Sequence, residues 1–224
     1  MLSEERNKKQ EGRKMKYKAR KKNKCIVIKR KIILASKSLQ RIKILKQAGL
    51  KFKSIKPDID EAYLIRKFRK YNAKKLVKLL SFSKAVWVCY LGNSRDCSLQ
   101  GDEIIAGFDT IIECQGKIIG KPKNKKDALD ILLFLSNKVH NVHTGIGIID
   151  LKEKITISDS EVTRVYFKKI SEQEARDYIK TKEPMDKAGA YAIQGQGKNF
   201  IKKISGDYFN VVGLPLKRFL SRIS

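Results

Sequence analysis

An apolar segment with a carboxylate in its middle constrains the fold of this chain more than any other stretch. The isoleucines of residues 104–112 predict a buried strand, and Asp109 lies inside it. Residues 117–119 follow a Gln-Gly turn as a hairpin partner, which Lys121 and Pro122 end. A buried carboxylate needs a cation, a proton or a hydrogen-bond donor. The hairpin therefore indicates either a metal-bound, phosphate-bearing ligand or a structural ion pair within a strand pair.

The size and composition of the chain set broad limits on its class. It has 224 residues, a mass of 25.7 kDa and 42% hydrophobic residues, which suffice for one large domain or two lobes. The sequence has no apolar run of the roughly 18 residues that a membrane span needs. We expect an intracellular protein without a membrane anchor, in the cytoplasm or, given its basic start, in the nucleus.

The four cysteines are Cys25, Cys89, Cys97 and Cys114, and no two of them form a CxxC motif. Their spacing predicts neither a zinc site nor a disulfide framework, and a reducing compartment is the default expectation.

The net charge of +28 favours polyanionic partners such as RNA, a membrane surface or a nucleotide triphosphate. A coding bias toward lysine on solvated faces is an equally good explanation. Residues 1–24 hold almost no apolar side chains, so we predict a disordered basic extension ahead of a domain at 25–224. The extension is either a nuclear signal or an arm that attracts nucleic acid.

The first ordered element is predicted as a strand over residues 25–35, followed by a helix over 38–48. Ser36 lies between them, and Gln40 and Arg41 lie in the first helical turn. Such a helix start presents free backbone N–H groups to an anion. The alternative is that Ser36 or Ser38 simply caps the helix.

Three carboxylates in residues 57–61, Glu61 among them, either help to hold a divalent cation or cap the next helix. Residues 62–80 predict one long amphipathic helix with a basic outer face. Residues 85–91 read as a buried strand, and 92–101 as a polar loop.

The rest of the chain continues to alternate strands with helices. Further strands are predicted at 52–55, 139–149, 155–170 (one or two) and 200–204, and a turn at 206–210. Helices are predicted after Asn124, after a capping box at Ser171 and at 216–223 after Pro215. The order predicts an α/β fold with a mixed sheet in two lobes.

Several common motifs are absent or incomplete. The segment 116–122 (GKIIGKP) lacks the spacing and the hydroxyl of a Walker phosphate loop. His140 and His143 form an HxxH on a predicted strand, where residues three apart face opposite sides, so zinc binding is not expected. No arrangement typical of nucleophilic acyl chemistry is evident.

Six ordered segments together resemble the Maf family of nucleoside triphosphate pyrophosphatases. They are 33–41 (ILASKSLQR), 109–110 (DT), 120–122 (GKP), 140–145 (HNVHTG), 183–194 (EPMDKAGAYAIQ) and 212–216 (VGLPL).

The resemblance implies a two-lobed α/β fold related to the inosine triphosphatases, with a nucleotide cleft, a Mg²⁺ or Mn²⁺ requirement and a homodimer. The implied reaction converts a nucleoside triphosphate and water to the monophosphate and pyrophosphate. It also implies that Asp109 is the catalytic carboxylate and binds metal together with Glu61. The implied substrate-binding residues are Ser36, Gln40, Arg41, Thr110, Lys121, Asp186, Lys187 and Gln194.

The resemblance extends to base preference, because Thr110 and Gln194 match the members that prefer dTTP and UTP. Two positions depart from the family pattern. Gln40 replaces an arginine of the pyrimidine group, and Phe108 replaces a small residue. Two other classes stay open: a basic RNA-binding protein, and a nucleotide sensor that does not cleave.

Overall fold

A mixed seven-stranded sheet forms the centre of the part that the computed structural model describes, residues 30–92, 99 and 101–224. The strand order is β2-β1-β3-β5-β6-β7, with β4 paired to β3. Strands β1 and β2, and β1 and β3, are parallel, whereas the other pairs are antiparallel. The strands are β1 (Ile32–Ala35), β2 (Phe52–Ile55), β3 (Ile104–Cys114), β4 (Lys117–Ile119), β5 (Val139–Asp150), β6 (Ile155–Phe167) and β7 (Ile201–Ser205). The predicted mixed α/β class is confirmed.

Seven α-helices and three 3-10 helices occur in the same described ranges. The α-helices are α1 (Leu39–Gln47), α2 (Glu61–Lys67), α3 (Ala73–Gly92), α4 (Lys125–Leu135), α5 (Glu172–Lys180), α6 (Tyr208–Val212) and α7 (Leu216–Ile223). The 3-10 helices are Glu183–Asp186, Ala188–Ala190 and Gln196–Phe200. The predicted caps at Asn124 and Ser171 are confirmed, the latter as a full capping box.

The prediction of a strand at 85–91 was wrong, because these residues continue helix α3. No glycine or proline interrupts residues 73–91, and the buried residues Leu80, Ser81, Lys84, Ala85 and Val88 recur at helical spacing. The single long helix predicted over 62–80 was also wrong. It breaks at 68–72, where the Asn72 side chain accepts a hydrogen bond from the Lys75 amide at 2.9 Å and starts α3.

Other boundaries were predicted with mixed success. Residues 155–167 form one strand, which is one of the two possibilities predicted for 155–170. The predicted turn at 206–210 overlaps helix α6, whose start is capped by the Asp207 carboxylate. The predicted extension at 1–24 and most of the 92–101 loop lie outside the described residues. None of the helices that the structure describes is both long and apolar enough to cross a membrane.

Helix α3 packs unusually close to the sheet because three glycines face it. A Cβ atom would lie 2.2 Å from the Ser81 carbonyl oxygen at Gly107 and 2.0 Å from the Val77 carbonyl oxygen at Gly145. At Gly147 it would lie 2.5 Å from the Phe82 Cα. Real Cβ atoms do not approach so closely, so the missing side chains set the distance between helix and sheet.

Strand β3 has a stretch without a strand neighbour on one side. Strand β1 pairs with β3 only as far as Gly107, and β4 begins its pairing at Ile112. Residues 108–111 therefore face a gap in the sheet. Helix α1 and strands β1 and β2 lie on one side of the gap, and strand β4 with the segment 183–198 lies on the other, corresponding to the two predicted lobes.

Each lobe has its own core on the face of the sheet opposite α3. One core contains Leu45 of α1 and the ring of Phe108, which packs edge-on against Phe219 at 5.3 Å. The other contains Leu132 of α4, Tyr178 of α5 and an aromatic group around His140. The unusual Phe108 is thus a fully buried core residue.

The two histidines lie on β5, as predicted, and have separate surroundings. His140 is buried, and its Nε2 lies 2.9 Å from the Tyr191 hydroxyl. His143 is half-buried, with its Nε2 3.4 Å from Glu113 Oε2. Burial lowers the pKa of His140 from its ordinary 6.5 to about 4, so the folded protein holds this imidazole neutral at pH 7.

We predict that Gly145→Ala lowers the free energy of unfolding by about 1–3 kcal/mol or more, because the new methyl group overlaps the α3 backbone. Urea unfolding would measure the change. Gly120→Ala is the matched control, since a Cβ there meets nothing within 4 Å. Equal stability of the two variants would contradict the proposed role of the glycine contact.

A second prediction concerns pH. The unfolded chain protonates His140 below pH 6.5, whereas the folded chain resists protonation down to about pH 4. Stability is therefore lost as the pH falls through this window, and we expect a decrease of about 2 kcal/mol between pH 7 and 5. Urea unfolding of the protein and of His140→Gln at both values checks this. The glutamine variant should show the smaller decrease, and an equal one would rule out His140 as its source.

Candidate active site

Three charged side chains meet on the α3 face of the sheet, next to the gap. The Lys84 ammonium lies 2.6 Å from Asp109 Oδ1 and 2.9 Å from Glu61 Oε1. The Lys84 and Asp109 side chains are each only 8% exposed, whereas that of Glu61 is 43% exposed. The predicted buried carboxylate thus has a cation, and Lys84 joins it to a second carboxylate that is accessible to solvent.

Each of the three side chains has a clear structural origin. Asp109 points toward α3 because it shares the alternation of Gly107 and Ile111, which also face that helix. Glu61 is the first residue of α2, behind the N-cap Asp60. The three glycines under α3 bring Lys84 down onto the sheet.

Lys84 was not predicted as a site residue, because a strand was predicted to begin immediately after it. Helical spacing in the sequence could have identified it, because Lys84 lies four residues after Leu80 and four before Val88, and both are fully buried. A helical interpretation of 73–91 places this lysine on the inward face.

A second group lies on the opposite face, where Thr110 follows Asp109 along the strand. Arg41 donates hydrogen bonds to the Gly213 carbonyl at 2.8 Å, to Ser36 Oγ at 3.2 Å and to Thr110 Oγ1 at 3.3 Å. Burial lowers the pKa of Arg41, while the nearby carboxylates of Asp109 and Glu61 act in the opposite direction. A guanidinium nevertheless remains charged in proteins, so Arg41 is a fixed positive charge.

A buried network of polar side chains holds Thr110, the residue that Arg41 contacts. Thr110 Oγ1 lies 3.0 Å from Thr144 Oγ1, and Thr144 donates to the Asn210 carbonyl at 3.1 Å. The Asn210 amide in turn donates to the Val142 carbonyl and to Thr163 Oγ1. Isolated polar residues gave no sequence signal for this network, since only the fold brings β3, β5, β6 and α6 together.

The start of α1 has no side-chain cap, and in this sense we call it open. Ser38 is its N-cap residue, but its side chain makes no capping hydrogen bond to the helix. It instead donates to Gln40 Oε1 at 3.3 Å, and the Ser38 amide donates to Ser36 Oγ at 3.2 Å. Side-chain capping therefore does not account for these serines, and no side chain of the described residues accepts a hydrogen bond from the first amides of the helix.

The other side of the gap carries the remaining predicted residues. The Gly189 amide donates to the Gly120 carbonyl at 2.9 Å, which joins the 183–198 segment to the end of β4 beside Lys121. Lys121 is exposed. Lys187 forms an ion pair with the exposed Asp186.

The loop that carries Gln194 is held by a different carboxylate. Glu183 accepts hydrogen bonds from the Tyr178 hydroxyl at 2.8 Å, the Gln196 amide at 3.1 Å and the Gly197 amide at 3.3 Å. Gln194 itself is exposed. Glu183 thereby fixes the loop and leaves the Gln194 carboxamide available to a ligand.

The structure thus brings the predicted residues together in sets. Asp109 contacts Glu61 through Lys84, and Arg41 joins Ser36 to Thr110. Gln40 contacts Ser38 rather than any of these. Lys121, Asp186, Lys187 and Gln194 belong to the opposite side of the gap, and no hydrogen bond joins them to Asp109 or Arg41 in the described part of the chain.

The chain is similar to curated proteins over most of its length. The relative from Alkaliphilus metalliredigens, named dTTP/UTP pyrophosphatase, is 47% identical over 83% of this chain and 91% of its own length. Relatives of the same name from Alkaliphilus oremlandii and Clostridioides difficile are 44% and 42% identical. Each covers 84% of this chain, and 91% and 90% of the respective relative.

The family model described as Maf-like protein matches residues 31–224, which include every site residue named above. The matched range also includes all six blocks on which the sequence resemblance was based. The chain belongs to the Maf family.

Proposed function

We propose that this protein hydrolyses nucleoside triphosphates to monophosphates and pyrophosphate, with dTTP and UTP as preferred substrates. The gap at residues 108–111 supports the proposal, because the buried Asp109 carboxylate lies on the strand that borders it and Arg41 contacts the next residue, Thr110. The relatives' name, dTTP/UTP pyrophosphatase, supports the same reaction.

In the proposed reaction, water attacks the α-phosphorus and the bond from that phosphorus to the bridging oxygen of the β-phosphate breaks. Asp109 orients the water and takes its proton, and pyrophosphate leaves with the bridging oxygen. A general base of this kind contributes about 10²–10⁴-fold to the rate. Lys84 contacts Asp109 Oδ1 at 2.6 Å, so we assign the water to the other oxygen, Oδ2.

The cations on the two sides of the gap are assigned to the phosphates. Arg41, held by the Gly213 carbonyl and Ser36, presents a fixed guanidinium beside the open start of α1. Lys121 and Lys187 belong to the other lobe, and we assign them to the same phosphate chain. These groups would stabilise the charge that develops on the departing pyrophosphate.

The residues present fit a divalent metal. Glu61 and Asp109 already converge on one cation, the Lys84 ammonium, and carboxylate oxygens are the donors that Mg²⁺ and Mn²⁺ prefer. No cluster of three or more metal-ligating side chains occurs among the described residues. Substrate phosphates would therefore complete the coordination, as is usual for Mg²⁺. The metal would neutralise phosphate charge and polarise the α-phosphoryl group.

Base selection is assigned to Gln194. Its exposed carboxamide offers both a donor and an acceptor to a pyrimidine edge. The Thr110 hydroxyl is already engaged by Arg41 and Thr144, so we assign Thr110 to the positioning of Arg41. A cytoplasmic location and a homodimer are part of the same proposal.

We predict that Lys84→Met destabilises the protein by about 3–5 kcal/mol, because Asp109 then becomes a buried charge without a partner. Asp109→Asn in the same chain should restore most of the stability but no activity. Lys78→Met, on the same helix and without an ion pair to any described residue, is the control for urea unfolding. A Lys84→Met variant as stable as the control would contradict this account of the pair.

The reaction itself is tested by incubating the protein with dTTP, UTP, CTP, ATP and GTP and Mg²⁺ or Mn²⁺, and separating the products by anion exchange. We expect monophosphate and pyrophosphate, formed fastest from dTTP and UTP, and no turnover in EDTA. Asp109→Asn should lower kcat by about 10²–10⁴-fold, and Gln194→Ala should reduce the preference for pyrimidines.

Other outcomes would contradict specific parts of the proposal. Diphosphate and phosphate as products would rule out cleavage at the α-phosphorus. Nucleotide binding without turnover would indicate a sensor. An absence of nucleotide binding, combined with salt-sensitive RNA binding, would indicate the RNA-binding alternative.

A further inference from the structure

A cationic surface extends from the end of α2 to the first turn of α3. Six exposed side chains form it: Arg66, Lys67, Arg69, Lys70, Lys74 and Lys75. Residues 62–84 contain no aspartate or glutamate. None of the six forms an ion pair with a carboxylate of the described residues. We call these six residues the α2–α3 cationic surface.

Aromatic rings alternate with these cations in a continuous chain of contacts. The Lys67 ammonium lies 5.4 Å from the centre of the Tyr63 ring and 5.8 Å from that of Phe68. The Phe68 and Tyr71 ring centres are 5.1 Å apart, and the Lys75 ammonium lies 6.0 Å from the Tyr71 ring. Tyr63 is 47% exposed and Tyr71 is 38% exposed. Rings and charges therefore share one accessible surface.

Several other charged surfaces of the protein are neutralised by their own carboxylates. On α5, Arg176 pairs with Glu172 and Lys180 with Asp177. On α7, Arg218 and Arg222 both pair with Asp159. The α2–α3 cationic surface differs from α5 and α7 in two ways. No carboxylate of the described residues pairs with its cations, and aromatic rings lie between those cations.

We propose that the α2–α3 cationic surface binds single-stranded nucleic acid. Proteins that bind single strands combine cations that follow the phosphates with aromatic rings on which bases stack, and both are interleaved on this surface. A second copy of the chain is a poor occupant, because two such surfaces repel each other. An anionic membrane is less suitable, because the exposed rings are tyrosines between charges rather than a continuous apolar face.

The surface lies beside the candidate active site but does not overlap it. Helix α2 begins at Glu61, which contacts Lys84, and its Leu64 and Phe68 pack in the cluster that contains Ile111. The binding proposal uses none of the residues assigned to nucleotide hydrolysis. The two proposals can consequently fail separately.

The test measures binding of the full chain to a fluorescent single-stranded DNA of about 20 nucleotides, longer than the roughly 4–16 that one binding module covers. The DNA lacks a 5′ phosphate, so that it does not enter the nucleotide cleft. Titrations at several salt concentrations give the affinity and its salt dependence.

Two variants separate charge from stacking. Lys67→Glu/Lys70→Glu/Lys75→Glu should weaken binding at least about tenfold and reduce the salt slope by about 2, since each lost phosphate contact on a single strand accounts for about 0.7. Tyr63→Ser/Tyr71→Ser should weaken binding about tenfold with little change of slope. The control, Lys152→Glu/Lys168→Glu/Lys169→Glu, alters exposed lysines elsewhere by the same total charge. Circular dichroism and dTTP hydrolysis of each variant verify folding.

Selective weakening by the two surface variants supports the proposal. It is overturned if the lysine variant and the control weaken binding equally, because the chain then attracts DNA only through its general charge. It is also overturned if anionic phospholipid vesicles bind the surface more tightly than the DNA does, or if the full chain does not bind the single strand.

Discussion

The buried ion pair between Lys84 and Asp109 is the interaction on which the candidate site depends. A carboxylate inside a sheet is unfavourable unless a cation accompanies it, and the loss of either partner leaves an uncompensated charge. Lys84 lies 2.6 Å from Asp109 and also reaches Glu61 at 2.9 Å. One ammonium thus stabilises the strand and holds two carboxylates together beside the gap, where the proposed metal and phosphate chain would bind. The same ammonium and carboxylate groups therefore contribute both to the stability of the fold and to the proposed reaction.

The ion pair in turn requires close packing of α3 on the sheet. Gly107 and Gly145 have no side chains, so the backbone of α3 comes into contact with the sheet at these positions. Lys84 then reaches a strand that would otherwise lie too far away. Backbone freedom at these positions is unimportant, because neither glycine has a left-handed conformation. These glycines matter because they have no Cβ atom that would overlap α3.

The pairing pattern of β3 supplies the other half of the site. Pairing with β1 ends at Gly107 and pairing with β4 begins at Ile112, so the strand edge between them pairs with no other described strand on that side. The proposed substrate site is next to this edge. The lobes that flank this edge contribute groups from distant parts of the chain, Arg41 on one side and Lys121 on the other. The proposed triphosphate substrate is anionic, and these cations would bind its phosphates. The neighbouring α2–α3 cationic surface is also positively charged.

The sequence by itself determined the alternating α/β order, the β3–β4 hairpin, the caps at Asn124 and Ser171, and Asp109 as a buried carboxylate. These depend on local periodicity and on the chemistry of single residues. Tertiary structure decided the partner of Asp109, because residues 85–91 have β-branched and aromatic side chains that favour a strand locally, and only packing on the sheet makes them a helix. It also decided the Thr144 and Asn210 network behind Arg41, since those residues come from separate elements whose proximity no local pattern encodes.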